Sequence, residues 1–401
     1  MTLIYLFIQT ILYGAAAYLL FNCAYLLFFA VAGHTKLKRG ELPPAHTFRN
    51  VCVLIPAYRE DVVILESAQT ALQHSYGGEL DVIVIADGLK AATIAALRQK
   101  GAKVVEVSFE RSTKGKALLE AMRILPPDLY EVAVVLDVDN IMGNDVLEEV
   151  NNAFEAGYKV VQCHRRAKNI DSAFALLDAC NEEISNHIFR KGHFALGMSP
   201  SLIGSGMAFE FSYLKRLLAD IGETVGEDKE LDYRILKDRE KVCYLNKIYV
   251  YDEKIENAKV FTQQRTRWMS TQLEYVKKYT LQGTAHLFRF GNVGYFDKVL
   301  QTLLLPKVLL IGCVGVFLLL SSLISFGPPA WFWGALLLAL NIALLIALPR
   351  YLYNRRLLLA ILHLPWALVC MCAALFRLNR TKSSFLPTPH TSKAVTSDLN
   401  D

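Results

Sequence analysis

Eight cysteines in 401 residues, at positions 23, 52, 163, 180, 243, 313, 370 and 372, include no Cys-x-x-Cys pair and no histidine spacing suited to zinc. Neither a zinc module nor a disulfide scaffold is indicated, and buried free thiols are expected. Excess charge of one sign is also scarce. The balance of 43 Lys+Arg against 38 Asp+Glu leaves a net +5, so no polyanion-binding domain and no nucleic-acid partner are implied. No Gly-x-Gly-x-x-Gly follows the first strand-like run and no Walker lysine loop occurs, which disfavours a dinucleotide fold and a P-loop. From Leu3 to Ala32 there is no charged residue, and the start, Met1-Thr2-Leu3, lacks the basic residues of a cleaved signal peptide.

What is present is apolar residue in blocks. Hydrophobic content is 53% and mean hydropathy +0.28, with the excess at both ends of the chain. Residues 3–32 are long enough to cross about 30 Å of hydrocarbon at about 1.5 Å per residue. Lys36, Lys38 and Arg39 follow this segment, as Arg350, Arg355 and Arg356 follow later ones, and such clusters mark cytoplasmic flanks. The expectation is an N-terminal anchor over 1–33 and a cytosolic domain over 48–260. An amphipathic interface stretch over 261–298, a transmembrane hairpin over 299–349, an interfacial or re-entrant segment over 355–378 and a cytosolic tail over 379–401 follow. The third C-terminal apolar stretch carries His363 and Pro365, and spanning would leave Arg377, Arg380 and Lys382 outside. Three spans are therefore expected, and they are read as free of charged residues.

The middle of the chain alternates strand and helix patterns: Val51–Ile55, Val62–His74, Asp81–Ala86, Ala91–Lys100, Lys103–Val107, Gly115–Ile124, Val132–Leu136. Near-continuous apolar strands between helices imply an α/β fold with a mostly parallel sheet covered on both faces, inserted between transmembrane helices. Ligands bind such sheets at the carboxyl ends of strands. Those ends carry Pro56-Ala57-Tyr58-Arg59-Glu60, Asp87-Gly88 and Asp137-Val138-Asp139. Two carboxylates on one side of a strand end repel unless a cation lies between them. Hard oxygen donors suit Mg²⁺ or Mn²⁺ bridging to substrate phosphates. Further on come the tight turn Gly204-Ser205-Gly206, the acidic Gly226-Glu227-Asp228 at a helix start, strand-like Lys241–Leu245 and Ile248–Tyr251, and Gln264-Arg265-Thr266-Arg267-Trp268.

Taken in order, Pro56-Ala57-Tyr58-x-Glu60, Asp87-Gly88, Lys114-Gly115-Lys116-Ala117, Asp137-x-Asp139, Gly204-Ser205-Gly206, Gly226-Glu227-Asp228 and Gln264-x-x-Arg267-Trp268 resemble the family 2 membrane glycosyltransferases. That group includes cellulose, chitin and hyaluronan synthases and ceramide glucosyltransferase. The resemblance covers about residues 48–290, and it implies a GT-A type fold and sugar transfer from a nucleotide diphosphate donor, a UDP-sugar first. It assigns Pro56, Tyr58, Glu60 and Asp87 to the nucleoside and Lys116 to the donor site. Asp137 goes to ribose and metal, and Asp139 becomes the main metal ligand. Asp228 matches the base, Gln264 and Arg267 the diphosphate contacts, and Trp268 the acceptor platform, with Ser205 and Gly206 on the acceptor side. The tail Phe385-Leu386-Pro387-Thr388-Pro389-His390 looks like a loop that some synthases fold over the donor. Two departures are Ala86 before Asp87, where many relatives carry Asp, and the Glu before Asp228.

The residue types fit that chemistry. A metal ion and the forked donors of Arg267 offset the leaving diphosphate, so no protein acid is required and one base suffices. Few spans enclose little polar path, which favours a membrane-associated lipid or glycan acceptor at the cytoplasmic face of a plasma or inner membrane. The competing readings are a processive polysaccharide synthase that builds its channel with partner subunits, and a silent nucleotide-sugar sensor.

Overall fold

The computed structural model describes residues 2–35, 42–324 and 327–378. Helix α1 (Thr2–Ala32) comes first. Strands β1 (Val51–Tyr58), β2 (Leu80–Asp87), β3 (Lys103–Val107), β4 (Val132–Val135), β5 (Ile141–Met142), β6 (Val160–Ala167), β7 (Met207–Glu210) and β8 (Val242–Asp252) form one sheet in the order β3-β2-β1-β4-β7-β6-β8-β5. Helices α2 (Val63–Leu72), α3 (Ala91–Gln99), α4 (Lys114–Ile124) and α5 (Val146–Glu155) connect the first strands. Helix α6 (Ala173–Ser185) runs through a π turn, Asn186–Gly192, into the short α7 (His193–Ala195), and α8 (Phe211–Leu218) and α9 (Glu227–Lys237) complete the layer.

Period-2 alternation explains why β1 is apolar throughout. Val51, Val53, Ile55 and Ala57 enter one core with Ile64 and Ala68 of α2 and Val146 and Val150 of α5. Cys52 and Leu54 enter the other, with Leu118 of α4, Leu214 of α8 and Leu231 and Ile235 of α9. The sheet is mixed rather than mostly parallel: β4–β7, β6–β7 and β5–β8 run antiparallel. The first two pairs arise from β7, four residues that follow the Gly204–Gly206 turn and insert between β4 and β6, and the third from the edge strand β5. The two strands expected over 241–251 are one, β8, with a bulge opposite Cys163/His164. β1 pairs with β2 on one side and β4 on the other, all parallel, so the strand order reverses between β1 and β4. Ligands of open α/β sheets bind at such a point.

Helix α10 (Ala258–Phe290) is continuous over 33 residues, capped by Asn257 Oδ1, which accepts from Val260 N at 2.9 Å. The boundary expected at 260–261 therefore falls inside a helix. Helix α11 (Val293–Leu303) follows, and α12 (Lys307–Leu323) departs from it at 60°, so the span expected over 299–326 is broken. Pro306, without an N–H to donate, lies at the break. Lys307 opens α12, which corrects the reading of this segment as uncharged. Helix α13 (Ala330–Ala347) is followed by α14 (Arg355–Ile361) and α15 (Leu364–Arg377), bent by 46° near Pro365. Among the described residues, α1 and α13 are long and apolar enough to cross a membrane, or up to four segments if each bent pair is one span.

Helix α1 packs on α13 through Leu19, Leu26, Trp333, Leu336 and Leu340, and on the π turn through Ile188. Gly192 permits that approach: a Cβ there would lie 2.4 Å from Phe29 O. All eight cysteines are free, six of them buried, as expected.

Candidate active site

β4 ends at Val135, and the turn beyond it faces a cavity of about 640 Å³ lined by Asp137 and Asp139. Backbone and buried side chains fix this turn. Leu136 N donates to Leu54 O and Asn140 N to Asp137 O, each at 3.0 Å. Asp137 N donates to Ser205 Oγ at 2.9 Å, and the Ser205 hydroxyl donates to Asn140 Oδ1. Asp139 is held at both oxygens, Oδ1 accepting from Asn140 Nδ2 at 3.1 Å and Oδ2 from Glu253 N at 2.9 Å.

Ser205 is fully buried, and Gly206 (φ +61°) packs so tightly that a Cβ would sit 3.0 Å from Val250 Cγ2. Neither lines the cavity, which corrects their assignment to the acceptor side. They shape the turn that carries Asp137.

The expected nucleoside residues come together at the adjoining strand ends. Pro56 and Tyr58 at the end of β1, Glu60 just beyond, and Asp87 at the end of β2 all line the cavity. Asp87 is buried, and that burial raises its carboxyl above the ordinary range, with a Ser112 hydrogen bond and Arg59 opposing. Gly88 (φ +71°) turns the chain away beneath Arg59.

The lysine loop supplies a different lysine from the one expected. Thr113 caps α4, its Oγ1 accepting from Lys116 N at 3.2 Å. That phase sends Lys116 outward to Glu223 Oε1 at 2.6 Å, away from the cavity. Lys114 faces inward instead. Its Nζ lies 2.5 Å from Asp137 Oδ1, donates to Gly204 O, and is 3.7 Å from Glu227 Oε1. Gly204 (φ +84°) sits between this ammonium and Asp228: a Cβ there would lie 3.9 Å from Lys114 Nζ and 3.8 Å from Asp228 Cβ.

Glu227 and Asp228 stand in the first turn of α9, where the helix dipole favours negative charge. Burial pushes the Glu227 carboxyl up to about 7, with Lys114 opposing and Asp228 adding to the rise. Asp228 lines the cavity. One turn on, Asp232 accepts from Leu202 N at 3.1 Å and from Lys298 Nζ at 3.0 Å.

Gln264, Arg267 and Trp268 line the opposite wall, at i, i+3 and i+4 of α10 and hence on one helix face. Gln264 Oε1 is buried there without a hydrogen-bond partner among the described residues. Among those residues no carboxylate pairs with Arg267. The Trp268 ring is covered on one side by Arg265, 4.1 Å from its centroid, and stays 38% exposed.

Below the strand ends lies a buried ion network that sequence reasoning missed. Arg165 Nε meets Glu182 Oε1 at 2.5 Å and Asp252 Oδ2 at 3.4 Å. Lys254 contacts Glu182 and, at 2.8 Å, Asp252 Oδ1, and Arg265 pairs with Asp178. Burial drives the Asp252 carboxyl well above, and the Lys254 ammonium down to about 7 from, their ordinary values. The members of the hydrogen-bonded pairs lie 17 to 87 residues apart, and no local motif announces them.

Asp137 and Asp139 fit a hard divalent cation. Both line one cavity and offer it two carboxylates. That is the donor set of an ion that completes its shell with water and substrate phosphate rather than with protein.

A family model described as glycosyltransferase like family 2 matches residues 49–271. Among solved structures, the chain is similar to a mannosyltransferase from Pyrobaculum calidifontis in complex with GDP-Man and Mn²⁺. The identity is 17% and the TM-score 0.52, over 92% of this chain and 99% of that one. It is also similar to glucosyl-3-phosphoglycerate synthase from Mycobacterium tuberculosis at 18% identity and a TM-score of 0.40, over 56% of this chain and 78% of that one. The first likeness is one of fold, and the mixed α/β sheet is consistent with the GT-A arrangement. No curated protein matches the chain.

Proposed function

The chain belongs to glycosyltransferase like family 2, and on that premise we propose that it transfers one sugar, with inversion, from a nucleotide-diphosphate donor to a lipid or lipid-linked glycan acceptor at the cytoplasmic membrane face. The observation that carries this reading is a single cavity. It is lined by Asp139, Asp228 and Trp268, and it continues to Leu26, Leu305 and Met371 on the apolar helices and their connections. Donor chemistry and a route for hydrocarbon thus share one space.

Pro56, Tyr58 and Asp87 hold the nucleoside, and the Gln264 amide N–H and the Arg267 guanidinium donate to the diphosphate oxygens. Bound at Asp137 and Asp139, Mg²⁺ or Mn²⁺ supplies Lewis acidity toward that diphosphate. Lys114 keeps Asp137 in place. The acceptor hydroxyl oxygen forms its bond to the anomeric carbon opposite the diphosphate, and its proton passes to the Asp228 carboxylate. The bond from the anomeric carbon to the diphosphate oxygen breaks with its electron pair, and nucleoside diphosphate leaves. Trp268 offers an apolar face to a sugar ring or to the acceptor head.

The test is nucleoside diphosphate release by the purified full chain, screening nucleotide sugars, UDP-sugars first, with Mn²⁺ and membrane lipid extract. Release is expected to require both metal and lipid and to vanish in Asp228→Asn. Full turnover in that variant refutes the base assignment, and products longer by several sugars refute single transfer in favour of a processive synthase.

A further inference from the structure

Some of the cations that line the cavity have no carboxylate partner among the described residues. Arg165, Lys254 and Arg265 are accounted for by Glu182, Asp252 and Asp178, and Lys298 by Asp232. Four lining cations remain outside every ion pair among the described residues. Lys229 and Arg267 adjoin Asp228 and Trp268 in sequence, whereas Arg190, on the π turn after α6, and Lys307, at the Pro306 break that opens α12, repel one another. Arg190 is 6% exposed. Its Nε donates to Ser201 O and its Nη1 to Asn186 Oδ1, each at 3.0 Å, and Nη2 has no partner among the described residues. Lys307 Nζ donates to Ser185 Oγ at 2.7 Å, which uses one of its three hydrogens. The charges acting on Lys307 are those of Arg265, Arg190 and Asp178, and Asp178 is already taken by Arg265.

Burying a cation without a counterion is costly, and burial pushes Arg190 down to about 10. Such a pair is stabilised by an anion that arrives from outside the chain. Lys307 stands between Pro306 and Val308 in sequence, and the cavity that both cations line also has apolar walls. Those walls are Leu26 of α1, Leu305 and Val308 at the break, and Leu364, Ala367 and Met371 of α15. The surroundings therefore suit a molecule with an anionic head and a hydrocarbon tail. π turns inside helices are frequent at functional sites, and this one carries Arg190.

We propose that Arg190 and Lys307 bind the phosphate group of a phospholipid-type acceptor, holding its tail against α12 and α15 and its hydroxyl-bearing head toward Asp228. The assignment rests on the transferase reading and narrows its acceptor to lipids that carry a phosphoester between hydrocarbon and hydroxyl.

The test compares binding of fluorescent phosphatidylglycerol and fluorescent diacylglycerol to the detergent-solubilised full chain, with UDP binding in Mn²⁺ measured beside it. Phosphatidylglycerol is expected to bind at least about tenfold more tightly, the worth of a charge-assisted contact. Lys307→Gln is expected to remove that preference while UDP binding stays unchanged, and Lys307→Arg to restore it. Arg190→Gln should act like Lys307→Gln, and the lysine variants carry the test if it does not fold. Equal capture of the two lipids, or a preference that survives Lys307→Gln, overturns the headgroup assignment. Displacement of phosphatidylglycerol by millimolar inorganic phosphate overturns the lipid source in favour of a free-phosphate site. The nucleotide arm keeps the two readings apart: absence of Mn²⁺-dependent UDP binding by the unmodified chain, repeated with other nucleoside diphosphates, sinks the transferase reading rather than the lipid preference.

Discussion

In Lys114→Met an apolar chain of similar length replaces the ammonium shared by Asp137, Glu227 and the Gly204 carbonyl. Removing one partner of a buried ion pair costs about 3–5 kcal/mol, because the other charge is left without compensation. Asp137 keeps 34% of its side chain exposed, and Glu227, already held high, discharges by keeping its proton. Both effects trim the loss to the lower end, about 3 kcal/mol. At about 2–4 °C per kcal/mol for a cooperative unit of this size, the thermal midpoint in detergent is expected to fall by about 6–12 °C. Nucleotide binding should suffer as well, since Lys114 orients a proposed metal ligand, and loss of such an outer partner typically weakens metal affinity about 10–100-fold. The comparison is Lys116→Ala, which breaks only exposed contacts, to Glu223 and to the Arg111 carbonyl, and should leave both the melt and UDP–Mn²⁺ binding unchanged. The reasoning is refuted if Lys114→Met melts with the unmodified protein and binds nucleotide normally while Lys116→Ala loses it.

Asp139→Ala should abolish metal-dependent nucleotide binding in calorimetry. Asp228→Asn should retain that binding and lose about 10²–10⁴-fold in turnover, and equal binding losses in both variants would erase the division of roles. The Glu227 carboxyl ionises near pH 7 when folded against an ordinary value of 4.5, so the folded chain keeps a proton that the unfolded chain has released. Stability is then lost as pH rises from about 4.5 through about 7, and Glu227→Gln should flatten that decline in melts across pH 5–8. Ser205→Ala leaves Asp137 N and Asn140 Oδ1 without their shared hydroxyl, so a loss of about 1–3 kcal/mol in stability is expected, read as a lower denaturation midpoint. An acceptor-side role would instead raise the acceptor KM and spare the fold.

The strand ends were legible because a buried strand admits only apolar residues, so the first carboxylate after such a run marks the sheet's edge. Asp87, Asp137 and Asp139 were singled out that way, and Gln264, Arg267 and Trp268 by the resemblance of Gln-x-x-Arg-Trp to a family motif. Lys114 was missed for Lys116 because the choice depends on which residue caps α4, and Thr113 was the available signal. Ser205 and Gly206 sit in a conspicuous turn, yet only the pairing of β7 between β4 and β6 turns them away from the cavity. β7 itself is four residues long and antiparallel, too short to show a period. Lys307 was lost in an apolar count over 299–326, although Pro306 beside it marks a place where a helix bends. The Arg165–Glu182–Lys254 network is invisible to any local window, since its members meet only in the folded chain.

The apolar helices serve the site as walls rather than as a tether. Phe29 of α1 stacks on His193 at 3.7 Å, Tyr25 OH donates to Asp297 Oδ1 at 2.7 Å, and His193 Nε2 lies 3.2 Å from Asp297 Oδ2. These contacts tie α1, the end of the π turn and α11 into one block. Asp232 on α9 is bound to Lys298 on α11 at 3.0 Å, so the helix that carries Asp228 belongs to the same block. Helix α10 then carries Gln264, Arg267 and Trp268 along the cavity and extends to highly exposed Leu281 and Phe288. On the proposed reading, the proton acceptor and the entry for hydrocarbon are fixed relative to one another by buried contacts. An acceptor that arrives through the apolar walls therefore meets Asp228 without any hinge between the sheet and the helices having to close.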